Sequence, residues 1–204
     1  MYAKCFKRVI DFILSLTAII LLSPVLLILT VLGAVKMKGN PFFTQERPGK
    51  DEKIFRLIKY RTMTNEKDQN GELLPDDQRL IPYGKFLRST SLDELPELFN
   101  ILAGQMAIVG PRPLLVRYLP RYSPEQRRRH EVRPGLTGYA QAHGRNAVSW
   151  EEKFKMDVWY VDHVSLKTDL SVLAATVRAV IKHEGISGEG TETMTEFMGT
   201  REDV

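Results

Sequence analysis

A single cysteine, Cys5, occurs among 204 residues. That scarcity excludes an internal disulfide and a cysteine-rich zinc site, and it agrees with a reducing compartment. Histidine is also sparse. His130, His143, His163 and His183 are scattered with no HExxH-type spacing, so a histidine-based metal site has no support. No Walker loop, GxGxxG turn or GxSxG elbow occurs, which removes the standard P-loop, the dinucleotide-binding turn and the serine-hydrolase nucleophile. No internal repeat is visible. Charge is missing from Phe12 to Val35, "FILSLTAIILLSPVLLILTVLGAV", a length able to cross a bilayer core.

What is present is otherwise ordinary for a globular chain. Hydrophobic residues make up 43% and charged residues 26%, enough for one domain with a core plus an appendage, and too regular for wholesale disorder. The net charge of +4 favours an anionic partner, whether nucleic acid, lipid or a phosphorylated substrate.

The apolar run favours the membrane. A signal peptide should have a shorter apolar core, about 7 to 15 residues, and a small-residue cleavage site; here "KMKGN" follows instead. Lys4, Lys7 and Arg8 precede the run and Lys36 and Lys38 follow it, so the charge asymmetry of a spanning helix is weak. Ser23-Pro24 falls inside it, where proline removes a backbone hydrogen bond. A kinked span and a re-entrant helix-break-helix both fit, and the basic residues on both flanks favour the second. Residues 1–38 are thus read as the anchor, 39–185 as a globular domain and 186–204 as a Gly/Thr/Glu-rich tail in which Phe197 or Met198 could dock.

The domain reads as α+β and mainly helical. "PFFTQERPGKDEKIFRLIKYRTM" suggests a β-hairpin around Pro48-Gly49. Ser123 before Pro124 marks a helix start, and Ser149 with Glu152 has capping-box spacing. Trp150, Phe154, Val158 and Val161 recur at helical spacing and are expected in the core. Leu170, Leu173, Ala174 and Val177 share one helical face that suits either core packing or a membrane surface.

Chemistry points to "RSTSLDELPELFNIL". Asp93 and Glu94 have two readings: Ser91 and Glu94 fit a capping box, or the acidic pair is an active site. Pro96 argues for a helix that begins near Leu95 and leaves the pair in a turn. Arginines sit beside rigid turns at Arg47, Arg112, Arg133 and Arg145, the last next to Asn146; with Lys59, Arg61 and Arg88 they suggest a multi-point phosphate site. The run Arg127-Arg128-Arg129 is expected on a solvated or headgroup-facing surface. Carboxylates, guanidinium groups and a divalent cation are a sensible set for phosphoryl transfer.

The ordered motifs "FFTQERPGKDEKIFRLIKYRTM", "LRSTSLDELPELFNIL", "IVGPRPLL", "RPGLTGYAQ" and "YVDHVSLKTDL", after an apolar segment containing Ser-Pro, resemble the monotopic phosphoglycosyl transferases, the bacterial sugar transferase family, in their minimal PglC-like form. The resemblance covers nearly the whole chain. It implies transfer of a phospho-sugar from a UDP-sugar to polyprenol phosphate, undecaprenyl phosphate in bacteria, with release of UMP. Asp93 would be the nucleophile that carries the phosphosugar, and Glu94 would assist, with both holding Mg2+. Lys59, Arg88, Arg112, Arg145 and Asn146 would bind the donor. Ser23 and Pro24 would form the membrane break, and the catalytic domain would face the cytoplasm at the inner membrane, in contact with inner-leaflet phospholipid and open to forming a homodimer. An N-acetylated UDP-hexosamine such as UDP-diacetylbacillosamine is the expected donor. Tyr139 and His143 depart from the commoner tryptophan and asparagine, which leaves the fit of sugar or nucleotide open. A binding module without turnover and an aspartate-based phosphohydrolase are the competing readings; nucleic-acid binding is not expected, since no aromatic stacking platform accompanies the basic turns.

Overall fold

The computed structural model describes residues 2–144, 148–181 and 196–199. After a π-helical turn, Tyr2–Phe6, the apolar run forms α1 (Lys7–Lys36). Pro24 has no N–H to offer the Ile20 carbonyl four residues back. The Ser23 hydroxyl donates to that oxygen instead, at 2.8 Å. The break expected at Ser23-Pro24 does not interrupt the helix: the exchange of donors is accommodated within α1, which runs continuously from Lys7 to Lys36.

One stripe of α1 faces the rest of the chain. Asp11, Ser15, Leu26, Leu29 and Gly33 are buried along it, with Ala18, Ile19 and Leu22 between them, as a 3.6-residue period requires. The opposite face exposes Ile13, Leu21, Leu27, Val31 and Val35. Arg8 donates to the carbonyls of Ile101 and Leu102 at 2.8 and 2.9 Å, satisfying groups that a helix end leaves orphaned. Near the other end, the Tyr60 and Tyr83 hydroxyls donate to Leu26 O and Leu29 O, each at 2.9 Å. Roughly 30 Å of helix thus lies along a single body.

That body contains an antiparallel hairpin of β1 (Phe42–Pro48) and β2 (Ile54–Tyr60), with Arg47 opposite Phe55 and Phe43 opposite Lys59. Two short helices, α2 (Asp76–Arg79) and α3 (Pro82–Ser89), lead to a 3-10 turn, Leu92–Glu94, and α4 (Glu97–Leu102). Strands β3 (Ala107–Val109) and β4 (Gly135–Thr137) pair in parallel. Between and beyond them come α5 (Pro124–Arg127), α6 (Tyr139–His143), α7 (Trp150–Asp162) and α8 (Leu166–Ile181). Ser123 and Ser149 each complete a capping box, with Gln126 and Glu152 respectively.

Phe55 and Leu57 of β2, Leu98 and Ile101 of α4, and Met106 form one core cluster, which α1 covers with Ala18, Ile19 and Leu22. Each such side chain contributes about 1.5–3 kcal/mol by leaving water. A second cluster is aromatic: Tyr118, Tyr122 and Phe154 enclose Phe197, which is 2% exposed. Phe197 therefore docks, while Met198 stays exposed. In α8 the buried face is Asp169 and Val172; Leu170 and Val177, expected beside Leu173, turn outward.

Candidate active site

Strand alternation places Lys59 on the face of β2 that carries Phe55 and Leu57. That face meets α4. Asn100 fixes the contact: its Nδ2 donates to Arg56 O at 2.8 Å and its Oδ1 accepts from Ile58 N at 3.0 Å. Lys59 is thereby held at a set distance from the turn that precedes α4.

Ser91 opens that turn in the left-handed region, at φ 55°, a conformation that is uncommon for a residue with a Cβ and costs of order 1 kcal/mol or more. Asp93 and Glu94 follow in the 3-10 turn, with α4 beginning only at Glu97, in keeping with Pro96. The Ser91–Glu94 capping box, one of the two readings of this stretch, does not form. Glu94 Oε1 accepts instead from Lys59 Nζ and Arg112 Nη2, both at 2.7 Å, because two charge-assisted bonds outweigh one bond to a neutral N–H.

Arg112 reaches Glu94 from the "GPRP" turn after β3. Gly110 and Gly135 cross there so closely that a Cβ on Gly135 would lie 2.1 Å from Gly110 N. Arg129 fastens the turn from behind. Its Nη2 donates to Arg112 O at 2.8 Å, and its Nε and Nη2 donate to Asp157 Oδ2 at 3.0 and 2.7 Å. Arg129 is 3% exposed, so the surface expected for the arginine run holds for Arg127 and Arg128 but not for this residue. Burial is tolerated because Asp157, on α7, neutralises it. Arg88 comes from α3, with its Nε donating to Thr62 Oγ1 at 3.0 Å. Gly84 allows that approach, since a Cβ there would lie 1.8 Å from Thr62 O.

These residues line one cavity of about 800 Å³, which holds Asp93, Glu94, Lys59, Arg88 and Arg112 together with Gln45, Arg47, Arg61 and Arg79. A smaller cavity of about 280 Å³ shares Arg47, Lys59 and Arg112 and adds Glu97, Leu114, Tyr118 and Trp150. Of the basic residues expected to bind donor, Lys59, Arg88 and Arg112 are thus brought together; Arg145 and Asn146 lie outside the described residues. Arg133 is spent elsewhere, donating to Gly104 O at 2.8 Å. Glu97 was not foreseen. It sits three residues beyond Glu94, is 3% exposed, and approaches Lys59 at 3.1 Å. Gln45 was not foreseen either; it alternates with Arg47, an expected phosphate-site residue, along β1 opposite Leu57 and Phe55, a period-two signal that could have placed it.

The three carboxyls differ electrically. Burial raises Asp93, and the Glu94 charge adds to this while Lys59 opposes it. Burial also acts to raise Glu94, but the Arg112 and Lys59 charges outweigh it and hold this carboxyl down at about 2. Glu97 is pushed up to about 7 by burial, with the Lys59 attraction only partly offsetting it and the Glu94 charge adding to the rise. Asp93 forms no hydrogen bond or ion pair among the described residues, and the second oxygen of Glu94 is likewise without a partner. No group of three histidine, cysteine or acidic side chains forms a cation cage among those residues. One or two carboxylates completed by substrate phosphates are, however, the donor set that magnesium takes, and Asp93 with Glu94 fits it.

The bacterial sugar transferase family matches residues 2–183. The chain belongs to that family. Among bacterial sugar transferases, the uncharacterized sugar transferase EpsL of Bacillus subtilis (strain 168) is 50% identical over 95% of this chain and 96% of its own length. The UDP-glucose:undecaprenyl-phosphate glucose-1-phosphate transferase of Klebsiella pneumoniae is 39% identical over 84% of this chain. The UDP-N-acetylgalactosamine-undecaprenyl-phosphate N-acetylgalactosaminephosphotransferase of Aeromonas hydrophila is 36% identical over 86% of it. The chain spans 39% and 43% of the length of these last two relatives.

Proposed function

We propose that this bacterial sugar transferase moves a phospho-sugar from a UDP-sugar to polyprenol phosphate, yielding polyprenol diphosphate-sugar and UMP through a covalent aspartyl intermediate. One observation carries the reading: Asp93, with no hydrogen bond or ion pair among the described residues, is a half-buried carboxylate in a cavity lined by guanidinium groups, next to a glutamate one oxygen of which is engaged by two cations. A nucleophile must have a free lone pair, and Asp93 has one. Its raised proton affinity strengthens it as a nucleophile.

In the first half-reaction an Asp93 oxygen attacks the sugar-linked phosphorus. The P–O bond to UMP breaks, and its electron pair leaves with UMP. In the second, an oxygen of polyprenol phosphate attacks the same phosphorus and the Asp93 carboxylate departs unchanged, so atoms and charge balance without a further reactant. Arg88 and Arg61 supply positive charge where phosphate oxygens gather negative charge. Glu94, kept ionised, holds Lys59 and Arg112 at the site. Mg2+, held by Asp93 and Glu94, would supply further charge neutralisation on the phosphate oxygens when bound.

The membrane arrangement belongs to the same proposal. Both ends of α1 are fastened to one body, which supports a helix that enters and leaves by one face, with the domain on the cytoplasmic side among inner-leaflet phospholipids. The donor is proposed to be an N-acetylated UDP-hexosamine such as UDP-diacetylbacillosamine. Release of UMP in detergent with polyprenol phosphate, Mg2+ and a panel of UDP-sugars tests the proposal: at least one sugar should support turnover. Sugar phosphate released to water without the lipid would instead indicate a phosphohydrolase.

A further inference from the structure

The two cavities meet at three cations, Arg47, Lys59 and Arg112, which line both. Two of them are already neutralised. Lys59 lies 2.7 Å from Glu94 and 3.1 Å from Glu97, and Arg112 lies 2.7 Å from Glu94. Arg47 differs. Its Nη2 donates at 2.6 Å to Gln45 Oε1, a neutral amide oxygen, and it forms no ion pair among the described residues. Its Nε is buried without any acceptor among the described residues. A buried donor left unpaired costs about 1–3 kcal/mol, and more when charged. Native structures keep such groups where something outside the chain satisfies them.

The surroundings specify that missing acceptor. Burial lowers the proton affinity of Arg47 and the Arg112 charge adds to this, while the Glu97 charge opposes both, so a cation stands here without an ion-pair partner of its own among the described residues. Burial on β1 and the Gln45 contact fix the guanidinium plane, so its fork is set in advance for oxygen atoms in pairs. Space opens on both sides of it, as needed for an anion that carries a substituent at each end.

We infer that Arg47 binds the diphosphate of the nucleotide-sugar donor at the junction of the two cavities. The inference rests on the transferase reading above and adds a binding residue to it. Lys59 and Arg112 hold the acidic residues in place, and Arg47 is the charge left over for substrate.

Calorimetric titration of the full chain in detergent, with UDP and separately with inorganic pyrophosphate, tests this on wild type, Arg47→Ala and Arg47→Lys. Wild type should bind both probes, and Arg47→Ala should weaken both by roughly 10- to 100-fold, as expected on losing a charge-assisted pair. Arg47→Lys keeps the charge but not the fork; it should lose about tenfold, and it serves alone if the alanine variant fails to fold. In turnover, KM for the UDP-sugar should rise more than kcat falls. Unchanged UDP binding in a folded variant overturns the inference and leaves the transferase reading standing. Arg47-dependent binding of pyrophosphate by a wild type that ignores UDP and every UDP-sugar keeps the anion site and sinks the transferase reading. Binding of neither probe by wild type overturns both.

Discussion

Lys59 touches two carboxylates that are driven in opposite directions, and the consequences for pH are opposite too. Glu94, held at about 2 against an ordinary 4.5, contributes stability that is present above pH 4.5 and lost as pH falls toward 2. Glu97, raised from 4.5 to about 7, works the other way: stability present below pH 4.5 is lost as pH rises through 7. Glu97→Gln should therefore flatten the decline in thermal stability between pH 4.5 and 7, measured by differential scanning in detergent; an unchanged pH slope would contradict the assigned burial. Arg112→Gln removes one of the two cations that hold Glu94 in place, and should lower UMP release by about 10²- to 10³-fold. His130 offers a control outside the site. Burial and the Arg129 charge bring it down to about 4, so its contribution to stability is present above its ordinary 6.5 and lost as pH falls toward 4. Its substitution should alter stability in that window without shifting the pH profile of turnover.

At the scale of elements, what was legible in the sequence was local. The hairpin around Pro48-Gly49, the helix start at Ser123 and the capping box at Ser149 formed as their spacing indicates, because every partner lies within a few residues. The Ser91–Glu94 box failed for the complementary reason: the cations that claim Glu94 come from 35 residues before it and 18 after it. Arg129 looked like surface charge because its partner, Asp157, lies 28 residues away on α7. The pair links α7 to the Arg112 turn. Asp157→Asn would leave a buried guanidinium poorly compensated, and should cost about 3–5 kcal/mol of stability; activity should fall further than unfolding accounts for, since the Arg112 carbonyl loses its fixed donor. The two fastened ends of α1 make a separate prediction. Native Cys5, which is exposed, and a cysteine placed at Asn40 should react with an impermeant thiol reagent from the same side of a sealed vesicle; labelling from opposite sides would mean that α1 crosses.

At the scale of the whole molecule, one stripe of α1 holds the domain while its other face, together with Leu170 and Val177 of α8, remains apolar and uncovered. An active site fed by a soluble nucleotide sugar and a membrane-borne lipid phosphate has to sit where those phases meet, since carrying either phosphate into hydrocarbon would cost several kcal/mol or more. Under the proposed function, the apolar face would supply that placement. Of the site, the acidic pair and Lys59, Arg88 and Arg112 could be read from ordered motifs and Arg47 from its place beside the Pro48-Gly49 turn, whereas Glu97 needed the packing of β2 against α4 to be recognised. The central claim is that Asp93 becomes covalently loaded. Intact-protein mass after incubation with Mg2+ and an accepted UDP-sugar, without polyprenol phosphate, should show one added phosphosugar on wild type, lost when the lipid phosphate is supplied, and none on Asp93→Asn. An adduct that persists on Asp93→Asn, or turnover by that variant within about tenfold of wild type, would contradict the account.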